Sequence, residues 1–281
     1  MTERLADISA RIDGIRQLGA VVNAIKGIAA ARANTARVEI RAVDSYAMTI
    51  AAAISDALGP VSGAMPPKGQ TDGRTGLLVF CAEQGFAGTF SERILDSIND
   101  DLSDTNLFII GTRGLSIASA RGLRPVWSTP MPSHTPAIPK LADAITKAIY
   151  RAQDEGRFER MEVIHAGPVS GPTHIVRQVL LPIDMSDLPS PRATGPLTQL
   201  PVDALINSLS SDYLHARLCK AALHAFAAEN EARMQAMSAA SSQITRELDR
   251  FEGTLRQVRQ EAITAEIIEL GTGTASARGS R

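Results

Sequence analysis

The sequence predicts an α/β protein carrying a long antiparallel coiled coil: two long terminal helices flanking a Rossmann-like, mainly parallel α/β domain. Three observations carry this reading. All 15 prolines lie between Pro60 and Pro201; a proline inside a helix removes a backbone hydrogen bond and clashes with the preceding turn, at about 3 kcal/mol, so both ends are free to be uninterrupted helix. Apolar residues at both ends recur at steps of three and four. Between them the pattern changes to short apolar runs separated by Gly, Pro and polar turns.

The first region, 1–59, places Leu5, Ile8, Ile12, Ile15, Leu18, Val22, Ile25 and Ala29 on one stripe of a helix. From Thr2 to Leu58 this helix would measure roughly 85 Å, and Gly59-Pro60 is a natural stop. Ala24, Ala29, Ala30, Ala31, Ala33 and Ala36 allow close approach of a second helix. Gly14, Gly19 and Gly27 each weaken the helix by up to about 1 kcal/mol relative to alanine. They mark either surfaces where another chain passes closely or a helix whose stability comes from packing.

In the middle, 75–185, strands are predicted at Leu77 to Ala82, Leu107 to Gly111, Met161 to Ala166 and Ile175 to Leu181. Helices are predicted at Ser91 to Leu102, Leu115 to Gly122 and Lys140 to Gln153. Such alternation implies a mainly parallel sheet with helices on its faces. Val61 to Gly76 and Asp187 to Pro201 read as linkers, and Pro125 to Pro139, with its run of prolines, as an exposed loop.

The last helix, 202–270, would approach roughly 100 Å. Ile244, Leu248, Phe251, Leu255, Val258 and Ala262 alternate steps of four and three without a fault, which is a heptad seam. A helix of this length needs a partner along it, and the other end of the same chain supplies one. The glycine- and serine-rich tail 271–281 reads as disordered.

A formal net charge of −1 gives no reason to expect nucleic acid or an acidic membrane surface as partner. No secretory signal opens the chain, and its apolar runs are far shorter than the roughly 20 residues that cross a bilayer, so a soluble, cytoplasmic protein is expected. Two separated cysteines, Cys81 and Cys219, read as buried apolar residues in a reducing compartment.

Candidate chemistry is sparse. The turn Glu83-Gln84-Gly85-Phe86-Ala87-Gly88-Thr89 follows a strand and precedes a helix, where a doubly wound sheet can cradle phosphate. Two glycines three apart are fewer than the dinucleotide fingerprint requires, and the structural turn is favoured. His134, His165, His174, His215 and His224 show no metal-ligand spacing, and Gly167-Pro168-Val169-Ser170-Gly171 has its serine one place too late for a nucleophile elbow. The carboxylates of the last helix alternate with arginines as on a solvated face. No catalytic residue, metal or cofactor is predicted.

Arg259-Gln260-Glu261-Ala262-Ile263-Thr264-Ala265-Glu266-Ile267-Ile268-Glu269-Leu270 resembles the C-terminal signature of the gamma subunit of F-type rotary ATP synthases. Residues Ala20 to Arg32, Glu83 to Gly88, Ile109 to Gly114, Gln178 to Pro182 and Glu231 to Met237 match that family in the right order. The resemblance implies a central-stalk rotor, itself non-catalytic, that transmits ion-driven rotation of a membrane ring of c subunits to a catalytic ring of alpha and beta subunits. It implies an epsilon subunit beside the α/β foot, and a peripheral place on the cytoplasmic face of the plasma membrane without direct membrane insertion. The family's polar catch on the catalytic ring maps onto Arg233, Gln260, Thr264 and Glu266. Val22-Asn23-Ala24-Ile25 departs from the Thr-Lys-Ala-Met of many members, and Gly27 replaces a usual Met. Readings from other classes are a nucleotide- or sugar-phosphate-binding enzyme centred on Gly85 and Gly88, and a non-rotary coiled-coil scaffold.

Overall fold

A computed structural model describes residues 2–59, 74–98, 105–167, 174–184, 186, 188–192 and 198–278. Elements follow the order α1 (Thr2–Leu58), β1 (Thr75–Phe80), α2 (Phe90–Asp96), β2 (Thr105–Ile110), α3 (Thr112–Ala120), β3 (Trp127–Thr129), α4 (Ile138–Asp154), β4 (Arg160–Ala166), β5 (Ile175–Leu181) and α5 (Val202–Arg278). Most of the first stretch read as a linker and part of the second, the serine motif after β4 and the end of the helix predicted to reach Leu102 fall outside the described residues. Two compact units emerge, one from residues 1–28 with 234–281, the other from 29–233. The division cuts through α1 and α5, so each long helix serves both units.

In the unit of residues 29–233, β1, β2, β3 and β4 run parallel and β5 antiparallel, in the order β3-β2-β1-β4-β5. Both faces are covered, as a parallel sheet requires. Side chains alternate across a strand: Leu78 and Phe80 join α4, α1 and α5 in one core, whereas Leu77 and Val79 meet α2 and α3 in the other. On α4, Leu141, Ala142, Ile145, Ile149 and Ala152 are buried at helical spacing. Its proline sits in the first turn, where no intrahelical donor is lost.

Here α1 buries Ala29, Ala33, Ala36, Ile40, Ile50 and Ile54 at a heptad spacing that half-buried Val43 and Ala47 complete. On α5, Ala225 and Phe226 share a core with Ala36 and Ile40, and Tyr213 and Ala216 share another with Ile50 and Ile54. Ion pairs Arg37 with Glu231 and Asp44 with Lys220 fix the antiparallel register. Of the six alanines expected to allow close approach, Ala29, Ala33 and Ala36 do so; Ala24 and Ala31 face outward and Ala30 is half-buried.

The segment Pro125 to Pro139 is not simply an exposed loop. It holds β3, hydrogen-bonded to β2, and a 3-10 turn at Thr135–Ala137, with Met131, Thr135 and Ile138 buried. Three residues between Pro125 and Pro130 give no readable alternation, and prolines are tolerated at a sheet edge.

In the unit of residues 1–28 and 234–281 the two helices pair antiparallel. Asn23 Oδ1 accepts from Ser241 Oγ (3.3 Å), Lys26 Nζ donates to Ser238 Oγ (3.3 Å) and Arg16 Nη2 to Glu252 Oε1 (2.8 Å). Arg11 stacks over Phe251, 5.2 Å from the ring centroid. On α5 the predicted seam holds, with Val258 buried and Ile244, Leu248, Phe251, Leu255 and Ala262 half-buried. On α1 the seam departs by one place at one point. Leu18, predicted on the stripe, is 54% exposed, while the inward position belongs to Gly19, where an added Cβ would lie 3.3 Å from Ile244 Cγ2.

The helix α5 continues to Arg278, through 271–278, where composition predicts a disordered tail. Extending an existing helix avoids the cost of nucleation, and no proline intervenes to stop it.

Candidate functional site

In a doubly wound sheet, ligands are held beyond the C-terminal strand ends where strand order reverses. In this sheet that place lies at the ends of β1 and β4. After β1 the chain passes through Glu83-Gln84-Gly85-Phe86-Ala87-Gly88 before α2, with Gly88 at φ 59 and Phe86 at φ 63. A left-handed backbone at a bulky residue is uncommon, and the Phe86 side chain is 69% exposed.

The backbone N–H groups of this turn are already used. Glu229 of α5 accepts from Glu83 N (3.1 Å, Oε2) and Gln84 N (3.3 Å, Oε1), while Ala228 packs in the core shared by Cys81, Ala82, Ile164 and Ala166. An internal carboxylate thus occupies the position in which a phosphate would be cradled. Arg233 Nη2 pairs with Glu229 Oε1 (2.5 Å) and donates to Gln84 O (3.3 Å), and its Nε donates to Gly85 O (3.2 Å). Glu229, Asn230, Glu231 and Arg233 are all buried. A buried charge is costly unless paired and hydrogen-bonded, and each of the three here has its counter-ion.

Glu83 extends the brace to the neighbouring strand ends. Its Oε2 accepts from Thr112 N (2.9 Å) and Met131 N (2.8 Å), and its Oε1 from the Thr112 hydroxyl (2.7 Å). Gly111, at φ 105, and Gly114 let α3 start against this turn. A Cβ on Gly111 would lie 2.5 Å from Cys81 O, and one on Gly114 2.0 Å from Cys81 Cβ. The turn after β1, the start of α3 and one segment of α5 are therefore a single locked joint.

Other reactive groups are disarmed. Cys219 Sγ lies 3.8 Å from His215 Nδ1, whose Nε2 is 3.1 Å from Asp143 Oδ1. That is the order of a thiol nucleophile, a base and an orienting acid. Burial foremost, then the Asp143 charge, push the Cys219 thiol up to about 11, and burial with Glu229 pushes Cys81 up to about 12. Both stay protonated at neutral pH. Both cysteines are buried and free. Among the described residues no group of His, Cys, Asp and Glu has metal-binding geometry.

The four residues mapped as a catch are divided between the two units. Gln260, Thr264 and Glu266 are exposed on α5 in the unit of residues 1–28 and 234–281. The Thr264 hydroxyl donates to Gln260 O (2.9 Å), and Ile263 and Ile267 stand exposed beside them. Arg233 belongs to the other unit, and its guanidinium is spent on its own chain. Glu229 and Phe86 were not singled out in the sequence. The available signals were an acidic residue four before Arg233 in an otherwise apolar helix, and an aromatic residue between two turn glycines.

A protein-family model described as ATP synthase matches residues 4–277. The ATP synthase gamma chain of Frankia casuarinae is 26% identical over 100% of both chains, and that of Bdellovibrio bacteriovorus 24% identical over 98% of this chain and 99% of its own. A chain in the Euglena gracilis mitochondrial ATP synthase (OSCP/F1/c-ring, rotational state 3) shares the fold with a TM-score of 0.70 at 14% identity, covering 100% of this chain and 97% of that one. One in the Tetrahymena thermophila mitochondrial ATP synthase central stalk and c-ring gives 0.57 at 15% identity, covering 79% and 99%. With a family model spanning almost the entire sequence and relatives named as gamma chains matching from end to end, the chain belongs to the ATP synthase gamma-subunit family.

Proposed function

We infer that the chain is the central-stalk rotor subunit of an F-type ATP synthase, coupling ion-driven rotation of a membrane ring to conformational change in a catalytic ring. The observation that carries this is the family match over residues 4–277 on a chain whose two ends pair as an antiparallel coil. The subunit itself is non-catalytic. Torque transfer needs a stiff element, which a packed helix pair supplies, and a foot whose strand ends are locked to the same helices. Its proposed partners are the alpha and beta subunits, the epsilon subunit and the ring of c subunits. Among the described residues no helix is long and apolar enough to cross a membrane. We place the chain at the cytoplasmic face of the plasma membrane as a peripheral subunit.

Gln260, Thr264 and Glu266 are proposed to engage the catalytic ring. Their polar groups are directional, so they favour one rotary angle over another where apolar contacts would slide. Arg233 is proposed to act one step removed, holding the backbone of Gln84 and Gly85 so that exposed Phe86 is presented at a fixed place.

Two experiments test the reading. Native mass spectrometry of the complex extracted from its own membranes is expected to give one copy with three each of two larger ATPase subunits; a lone chain or unrelated partners would refute it. Removing residues 245–281 is expected to abolish ATP hydrolysis by the assembled complex, and full activity without them would refute it as well. The triple change Gln260→Ala, Thr264→Ala, Glu266→Ala is expected to slow hydrolysis by ~tenfold with assembly intact, since one charged hydrogen bond lost is worth about 1.5 kcal/mol or more. An unchanged rate removes the catch from these residues.

A further inference from the structure

A second feature of the unit of residues 29–233 has no part in the rotor reading. A cavity of about 1000 Å³ opens between α1, the ends of β4 and β5, and α5. Much of its wall is apolar, with Met48, Val176, Val179 and Leu188 among the side chains that line it. Met48 is 71% exposed, an unusual state for a large apolar side chain beside a recess. The size suits a small-molecule site, and so does the mixture of an apolar wall with a few placed polar groups.

The formal charges in the wall balance, Asp44 and Asp184 against Arg217 and Lys220, but they are not evenly paired. Lys220 Nζ is 2.6 Å from Asp44 Oδ1, and Asp184 Oδ1 accepts from the Ser186 N–H (2.9 Å) and hydroxyl (2.6 Å). Asp44 thus has a counter-ion, although its Oδ1 makes no hydrogen bond, and Asp184 is held by Ser186. Arg217 lies over the Tyr213 ring, 5.7 Å from its centroid, and has no carboxylate partner among the described residues. His165 and His224 stack with ring centroids 5.6 Å apart, and His224 Nδ1 is buried with no hydrogen-bond partner. Arg217 therefore stands next to an apolar wall with no carboxylate paired to it among the described residues. A guanidinium is suited to a carboxylate, which it binds through two parallel hydrogen bonds.

We propose that this cavity binds a small amphipathic carboxylate, with its head on Arg217 and its apolar body along Met48, Val176 and Val179. A cationic amphiphile would meet the Arg217 guanidinium, and a bare inorganic anion would leave the apolar wall uncovered.

Isothermal titration of the full-length chain with dodecanoate, below its micelle concentration, tests the site. One saturable site per chain is expected, weakened at least ~tenfold by Arg217→Gln, since the lost bond is to a charged group. Arg217→Lys keeps the charge without the fork and is expected to bind with intermediate affinity. Ala52→Trp, which fills the cavity from α1, is expected to remove the site while thermal unfolding stays cooperative. The proposal is overturned by any of three results: no saturable binding, equal affinity in wild type and the Arg217→Gln variant, or equally tight binding of dodecyltrimethylammonium.

Discussion

The two compact units share the same two helices and use them differently. In residues 29–233, α1 buries one side chain after another at heptad spacing and charged groups are sealed inside, among them Glu229, Glu231 and Arg233. In residues 1–28 and 234–281, Ile12 and Val22 are the fully buried side chains of α1, and Met237 and Val258 those of α5. The rest of that seam is half-buried, and Leu18, Val21, Ile28, Ile263, Ile267 and Ile268 are more than half exposed. Two helices alone enclose only one seam, whereas a sheet with helices on both faces encloses two cores. Both units leave apolar side chains exposed, Met48 and Phe86 among them in the α/β unit, but in the coil they flank the single seam and are of the kind that protein partners cover.

The contrast predicts that a charge has very different weight in the two units. Glu229→Ala leaves buried Arg233 without its counter-ion and the Glu83 and Gln84 N–H groups without their acceptor, at about 3 to 5 kcal/mol. Glu252→Ala removes the ion pair with Arg16, whose side chains are 37% and 56% exposed, at about 0 to 1 kcal/mol. Urea unfolding of the two variants measures both, and equal losses would erase the distinction.

Acid should also separate them, because all five histidines lie in the α/β unit. Burial lowers the His165 pKa from 6.5 to about 4, opposed by its hydrogen bond to Ala166 O and reinforced by His224, Lys220 and His174. His224 is lowered too, by burial and Lys220, against Asp44. Between pH 6.5 and pH 4 the unfolded chain binds protons that the folded chain does not. Stability from His165 is thus present above pH 6.5 and lost as pH falls through that window, by about 3 kcal/mol. Hydrogen exchange at pH 7 and pH 5 is expected to show the loss in β4 and in residues 202–233, and little change in residues 1–28. His165→Gln should flatten the slope.

How much of this was legible follows the range of the interactions. The α5 seam is a local repeat of apolar residues, and it read correctly. The α1 seam was misplaced at Leu18 because the inward residue, Gly19, carries no apolar signal; its contribution is the missing Cβ. Lys26 escaped for a related reason, since its stem lies along the seam while Nζ reaches Ser238. The strand β3 is three residues between prolines, too short for alternation to show. Glu229 and the turn it braces are far apart in sequence, and no local pattern joins them. The family motif singled out Arg233 as part of a catch, whereas its burial and its in-chain partners are properties of the folded joint.

Replacing a glycine by alanine has opposite sign in the two units. Gly111→Ala would place a methyl 2.5 Å from Cys81 O at a backbone φ of 105, and strain with overpacking should destabilise the α/β unit by roughly 2 to 4 kcal/mol. Gly27, on the outer side of the coil, has nothing within 4 Å of an added Cβ, so Gly27→Ala should stabilise the isolated chain by up to about 1 kcal/mol. Gly19→Ala tests the seam between these extremes, because its Cβ would meet Ile244 Cγ2 at 3.3 Å and the propensity gain is offset by a displaced side chain. Thermal unfolding should therefore rank Gly27→Ala above wild type and Gly19→Ala below Gly27→Ala. If Gly19→Ala gains as much as Gly27→Ala, the coil lacks the close contact that sets its register, and its stiffness must come from the subunits around it.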